Sequence, residues 1–176
     1  MNNLQFFITC WQKELKRTMV ALKALPSDMS RLQYRPHEKS RSAIEIIGHI
    51  LPHAEDLLKA VDTMEIAEHN RTFDSIAEAC EYYQTNSQLL MSKLQLVDEQ
   101  LWENGMVLLT ADGIILYEGI MMNLFWDLLF DTIHHRGQLT TYYRAMGAPN
   151  PSVYGPTAEG MESFMAAAIL KSKTRK

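Results

Sequence analysis

The sequence predicts an all-α fold: a four-helix bundle with a small β-hairpin before the fourth helix and a short C-terminal helix. Three observations carry this. Apolar residues recur at spacings of three and four along four long stretches, the period of a helix with one buried face. The six prolines fall mostly between those stretches. The segment MVLLTADGIILY has two apolar runs around Ala111-Asp112-Gly113, and Asp-Gly is a strong hairpin turn. With 176 residues, the chain is expected to form one domain over its whole length and to bury a single core.

The first helix spans Asn3 to about Leu25, with Leu4, Phe7, Ile8, Trp11, Leu15, Met19 and Leu22 on one stripe; Pro26-Ser27-Asp28 stops it. The polar segment DMSRLQYRPHEKSRS reads as a loop. The second helix begins at Ser40 or Ser42, either of which can cap it, and runs to about Thr63. Pro52 lies inside it and is expected to kink it, because proline lacks a backbone donor and clashes with the preceding turn. Met64 to Arg71 reads as a polar link. The third helix runs from Thr72 or Asp74 to Leu96, followed by a short connection or turn of helix to Trp102. After the hairpin, the fourth helix extends from about Gly119 to Met146, where Gly147 ends it, backed by Pro149 and Pro151. Thr157 can cap the last helix, Ala158 to about Leu170, with a narrow stripe of Met161, Phe164, Met165, Ala168 and Ile169.

The apolar fraction of 47% and charged fraction of 22% are ordinary for a soluble globular chain. A net charge of −4 leaves no general basic field for nucleic acid. The basic run Lys171 to Lys176 reads as a solubilising tail. Cys10 and Cys80 belong to no metal-type spacing and are expected to be free thiols. The N-terminus lacks a basic signal-peptide region, and no uncharged apolar run approaches membrane-spanning length. A cytoplasmic protein without membrane or nucleic-acid partners is the expectation.

The fourth helix carries the chemistry. Its segment FWDLLFDTIHHRGQLTTYY is apolar over more than half its circumference, yet Asn123, Asp127, Asp131, His134 and Gln138 cluster in one sector. Asp131 and His135 are four apart, so they stack on one face where the polar sector meets Leu124, Leu128 and Tyr142. On the second helix His49 and His53 are likewise four apart at the edge of the apolar stripe. Read singly, each pair is a set of border residues satisfied by water or backbone more often than half a metal site. Read together, they supply two imidazoles and a carboxylate from facing helices, a donor set that suits zinc, nickel, manganese or ferrous iron.

SAIEIIGHI on the second helix and DTIHHRGQL on the fourth, with YGP downstream, resemble the DinB/YfiT-like family. This is a damage-inducible helical family, distinct from the DNA polymerase that shares the name. The resemblance covers essentially the whole chain, and the His-Arg-Gly-Gln run is its most specific part. It implies a metal held by one histidine of the second helix and a His-x3-His pair of the fourth. Here His49 matches the first ligand and His135 the histidine before Arg-Gly. Asp131 stands where the family has the other histidine, a shorter and harder ligand. His53, His134 and Gln138 are candidates for an additional ligand or an outer partner. Arg136 can bind an anionic substrate group or pair with a carboxylate, and Gly137 is expected to allow a close helix approach.

The same resemblance implies a metal-dependent enzyme acting on a small-molecule substrate, by hydrolysis or by transfer to a low-molecular-weight thiol. It also implies a homodimer. No catalytic residue is identified; Asp127, Glu45 and His134 are the candidate bases. The alternatives are a stress-related bundle that binds a metal or small molecule without turnover, and a structural bundle whose polar sector is only solvated. A ferritin-like di-iron site needs Glu-x-x-His motifs, which this chain lacks.

Overall fold

Trp11, Phe7, Trp102 and Phe125 meet at the centre of the core, each completely buried. The helices around them are amphipathic for the reasons read from the sequence. The computed structural model describes residues 1–173, so the end of the predicted basic tail lies outside the described residues. Helix α1 (Asn3–Lys23) is capped by the Asn2 side chain. The predicted loop holds a 3-10 turn, Met29–Gln33, that buries Leu32.

The predicted second helix is two helices. Ser42 and Glu45 form a reciprocal cap on α2 (Ala43–Ile50), and α3 (His53–Thr63) begins after Pro52. The predicted polar link contains a strand, β1 (Glu65–Ala67), missed because three residues show no alternation to read. Ser75 caps α4 (Ile76–Leu94), later than Thr72 or Asp74, and Asp98 caps the short α5 (Glu99–Asn104).

The hairpin forms as expected, with β2 (Met106–Ala111) antiparallel to β3 (Ile114–Ile120). Its turn residues Asp112 and Gly113 both take positive φ, 49° and 77°. β1 adds in parallel to β2, so the hairpin becomes a three-stranded sheet of order β1-β2-β3. Helix α6 is Met121–Thr140; the stretch predicted to continue to Met146 is a series of turns that buries Tyr142, Tyr143 and Met146 before Gly147. Helix α7 (Met161–Lys173) starts three residues later than predicted. On it Met161, Phe164, Met165 and Ile169 are exposed, and the Ala168 side chain lies outside what is described.

Helix α1 packs on α4 and α6, α3 on α4, and α2 on α6. The result is a mostly helical protein with a small sheet, richer in elements than four helices and a hairpin. Cys10 and Cys80 are free and half-buried. No described helix is long and apolar enough to cross a membrane.

Candidate metal centre

Helix α6 faces the α2–α3 junction, which brings the two polar pairs together. Leu51 and Pro52 interrupt the helix but keep right-handed torsions (φ −73°, ψ −33° and φ −60°, ψ −24°). Helical phase therefore carries through the proline, and His53 stays on the face of His49, the two rings edge to face with centroids 5.1 Å apart. His49 Nε2 lies 3.3 Å and His53 Nε2 3.8 Å from Asp131 Oδ2. His135 Nε2 lies 3.4 Å from Asp131 Oδ1. Within this group, His49, His53 and Asp131 each offer a ligand atom, all within 4.8 Å of one another.

The other nitrogen of each ring is committed to the protein. His49 Nδ1 lies 3.3 Å from Glu68 Oε1, and a carboxylate only accepts. His53 Nδ1 lies 3.1 Å from Thr132 Oγ1, whose own proton goes to Leu128 O at 2.9 Å. His135 Nδ1 lies 3.0 Å from Gln138 Oε1. Gln138 donates its amide N–H to Tyr142 Oη (3.2 Å), and Tyr142 donates to the Arg41 carbonyl (3.3 Å), which orients the glutamine oxygen toward His135. In the neutral rings these partners favour the proton on Nδ1, the tautomer that turns each Nε2 lone pair toward Asp131.

Acceptors thus face acceptors. His53 Nε2 and Asp131 Oδ2 are buried and have no hydrogen-bond partner. A buried polar atom left in that state costs roughly 1–3 kcal/mol, and a cation among them removes the penalty. The protonation states agree with this. Burial pushes the His53 imidazole down from 6.5 to about 4. Neutral imidazole and ionised carboxylate are the forms a metal binds.

The remaining sequence candidates lie elsewhere. His134 is exposed, with its ring only flanking that of His135. Gln138 contacts His135 from the side away from Asp131. Glu45 is held in the cap of α2, bonded to Ser42 N at 2.6 Å and paired with Arg35 at 3.2 Å, and Asp127 is exposed on α6. Glu68 and Thr132 were missed. Thr132 is marked only by its place one residue after Asp131; Glu68 sits past β1 with no local signal.

Arg136 points away from the cluster and pairs with a carboxylate, one of the two roles its sequence context allowed. Its guanidinium is buried against α1, at 2.5 Å from Glu14 Oε2 and 2.8 Å from Thr18 Oγ1. It also donates to Tyr154 Oη at 2.7 Å, and Tyr154 in turn donates to Glu14. Burial raises the Glu14 pKa, and the hydrogen bonds from Arg136, Tyr154 and Arg17 more than reverse it. This network ties the His-Arg-Gly-Gln run to the Tyr-Gly-Pro loop. Gly137 is a correction: a Cβ there meets nothing within 4 Å, so no close approach requires it. The close approach is at Gly48, where a Cβ would lie 2.3 Å from Arg71 O.

Two solved structures share the fold. A DinB-like protein from Bacillus subtilis is 18% identical, with a TM-score of 0.64 over 85% of this chain and 97% of that one. A DinB-like protein from Bacillus cereus is also 18% identical, with a TM-score of 0.66 over 84% and 95%. No curated protein matches the chain. The DinB family model, however, matches residues 1–171. With helix order, hairpin and the α2–α6 polar cluster all accounted for over that span, the chain belongs to the DinB family.

Proposed function

We propose that the chain is a mononuclear metal-dependent enzyme, a hydrolase or thiol-dependent transferase acting on a small molecule. The divalent ion is held by His49, His53, Asp131 and His135. One observation carries this reading: three Nε2 atoms converge on a carboxylate at 3.3–3.8 Å, and His53 Nε2 and Asp131 Oδ2 among them are buried without a hydrogen-bond partner. Three nitrogens and an oxygen suit zinc or nickel, and also manganese or ferrous iron. When bound, such an ion supplies Lewis acidity that lowers the pKa of a water or thiol and polarises the group under attack. The chain's own part is orientation: Glu68, Thr132 and Gln138 fix the three imidazoles from behind. The His53 side of the cluster is sealed, while the Asp131 and His135 side chains are 35% and 17% exposed, which leaves that side open to a small molecule.

The donor count favours one second reading. Four protein donors saturate a tetrahedral zinc, as in a site that holds metal without turnover. A six-coordinate ion keeps two positions for water and substrate. The visible spectrum of cobalt-loaded protein separates the two, since a saturated four-coordinate site absorbs far more strongly than a six-coordinate one with water bound.

The primary test is elemental analysis of protein purified without a metal-affinity tag, beside His53→Ala. We expect about one divalent ion per chain, lost in the variant. Metal-free wild type with no thermal shift on adding zinc, nickel, manganese or ferrous iron rejects the reading. We also propose the homodimer, with Phe6 of α1 and Phe130 of α6 at its interface, since both rings are about half exposed. A monomer mass by light scattering rejects that.

A further inference from the structure

Next to the cluster, a cavity of about 450 Å³ opens between α2 and the segments on either side of it. Its volume lies in the range of small-molecule sites. Arg35, Lys39, Arg41 and Arg71 line it, against Glu38 and Glu45. The cavity is thus net positive in a chain whose net charge is −4. Two of its cations are already matched, Arg35 with Glu45 at 3.2 Å and Arg71 with Glu78 at 3.5 Å. Among the described residues, Lys39 and Arg41 form no ion pair, and Glu38, also on the wall, pairs with neither. Gly48, one residue from His49, forms part of the wall and adds no side chain to it.

Arg41 connects the cavity to the cluster. Its Nη1 lies 3.4 Å from His135 Nε2, the atom whose lone pair faces Asp131. A guanidinium offers donors only, so Arg41 and a bound cation compete for the same nitrogen. We propose that this cavity binds an anionic group of the substrate, a carboxylate or phosphate, through Lys39 and Arg41, and that metal strengthens this binding by releasing Arg41 from His135. The proposal rests on the metal reading above for its second half only. It fixes the substrate class as a small acid whose charged end sits on the α2 side, with its reacting end at Asp131 and His135. Coupling between the two sites is reciprocal: the anion also tightens the metal.

The test is calorimetric titration of succinate and, separately, inorganic phosphate into wild type and Lys39→Gln/Arg41→Gln, each with chelator and with one equivalent of nickel. We expect at least one anion to bind wild type, at least about fivefold tighter with nickel, a typical coupling. We expect the double variant to lose at least about tenfold in anion affinity, in keeping with loss of charge-assisted bonds. Nickel affinity in that variant should be equal or higher, because the competitor for His135 is gone. Succinate preference marks a carboxylate substrate, phosphate preference a phosphorylated one. Anion binding that survives unchanged in the double variant, as coordination to the ion alone would, overturns the proposal, and so does no binding of either anion. If wild type takes neither nickel nor zinc, manganese or ferrous iron, the metal reading fails by itself, and the chelator arm still decides the cavity: anion binding lost in the variant upholds it, and absence of binding overturns it.

Discussion

His53 Nε2 and Asp131 Oδ2 face each other at 3.8 Å inside the protein, and neither atom has a hydrogen-bond partner. Asp131→Asn replaces an acceptor with a group that can donate. In chelator, the variant is expected to be as stable as wild type or more so, by up to roughly 1–3 kcal/mol, the cost of an unpaired polar atom. With nickel present the order inverts, because the variant has lost its charged ligand. Thermal unfolding of both proteins with and without nickel checks the inversion.

Acid stability follows from two buried groups that oppose each other. His53 is held by burial at about 4 instead of 6.5, so between those values the unfolded chain takes up a proton that the folded chain refuses. Its contribution to stability is therefore present above 6.5 and lost as pH falls toward 4. Asp56 is the reverse: burial lifts its carboxyl from 3.8 to about 6, so the folded chain holds the extra proton and stability falls as pH rises through that window. Metal-free wild type should change little between pH 4.5 and 6. Asp56→Asn should uncover the His53 slope, stability rising with pH by up to about 1.4 kcal/mol per unit. Urea unfolding in chelator at three pH values measures it.

The two glycines beside the histidines have opposite sensitivities. Gly137→Ala adds a methyl where nothing lies within 4 Å in mid-helix. It should stabilise the protein by about 0.5–1 kcal/mol. Gly48→Ala drives a methyl to 2.3 Å from the Arg71 carbonyl, and should destabilise by about 2–3 kcal/mol and weaken metal binding through His49. Denaturation midpoints of the pair, with nickel titrations, test both signs.

Arg136 is expected to matter for stability and not for the site. Arg136→Met leaves Glu14 buried with only Arg17 and Tyr154 to bond it and should cost up to about 3–5 kcal/mol. Adding Glu14→Leu should recover most of that loss. Nickel affinity of the double variant should match wild type. A large fall in it, with stability restored, would place Arg136 in the metal site after all.

Much of this was legible because it is local. Amphipathic spacing gives the helices, Asp112-Gly113 gives the hairpin, and four-residue spacing puts His49 over His53 and Asp131 beside His135. The polar pairs on two facing helices drew attention to the cluster, but the sector His134 shares with Asp131 kept it among the candidates, and it is exposed. What was hidden depends on chain segments far apart in sequence. Pro52 was expected to kink a helix, but two helices result: Pro52 has no N–H for the Gly48 carbonyl, which instead accepts from Arg71 N at 2.9 Å. β1 exists through its pairing with β2, and Glu68 reaches His49 only because β1 holds it there. Arg136 could be read two ways until Glu14 of α1 was seen opposite it.

The parallel β1–β2 pair also bears on the order in which the molecule is built. All of α4 and α5 lies between the two strands, so their pairing closes a long loop and is among the slower steps of folding. Glu68, whose amide bonds to Thr110 O at 2.7 Å, comes into place with that closure. The first two imidazoles can come together early, within one continuous stretch of chain, but His49 gains its backing carboxylate only with that closure. Interactions that form after the transition state act on the rate of unfolding rather than of folding. An ion captured by the finished cluster should therefore prolong the life of the folded chain while leaving the speed of its assembly nearly unchanged.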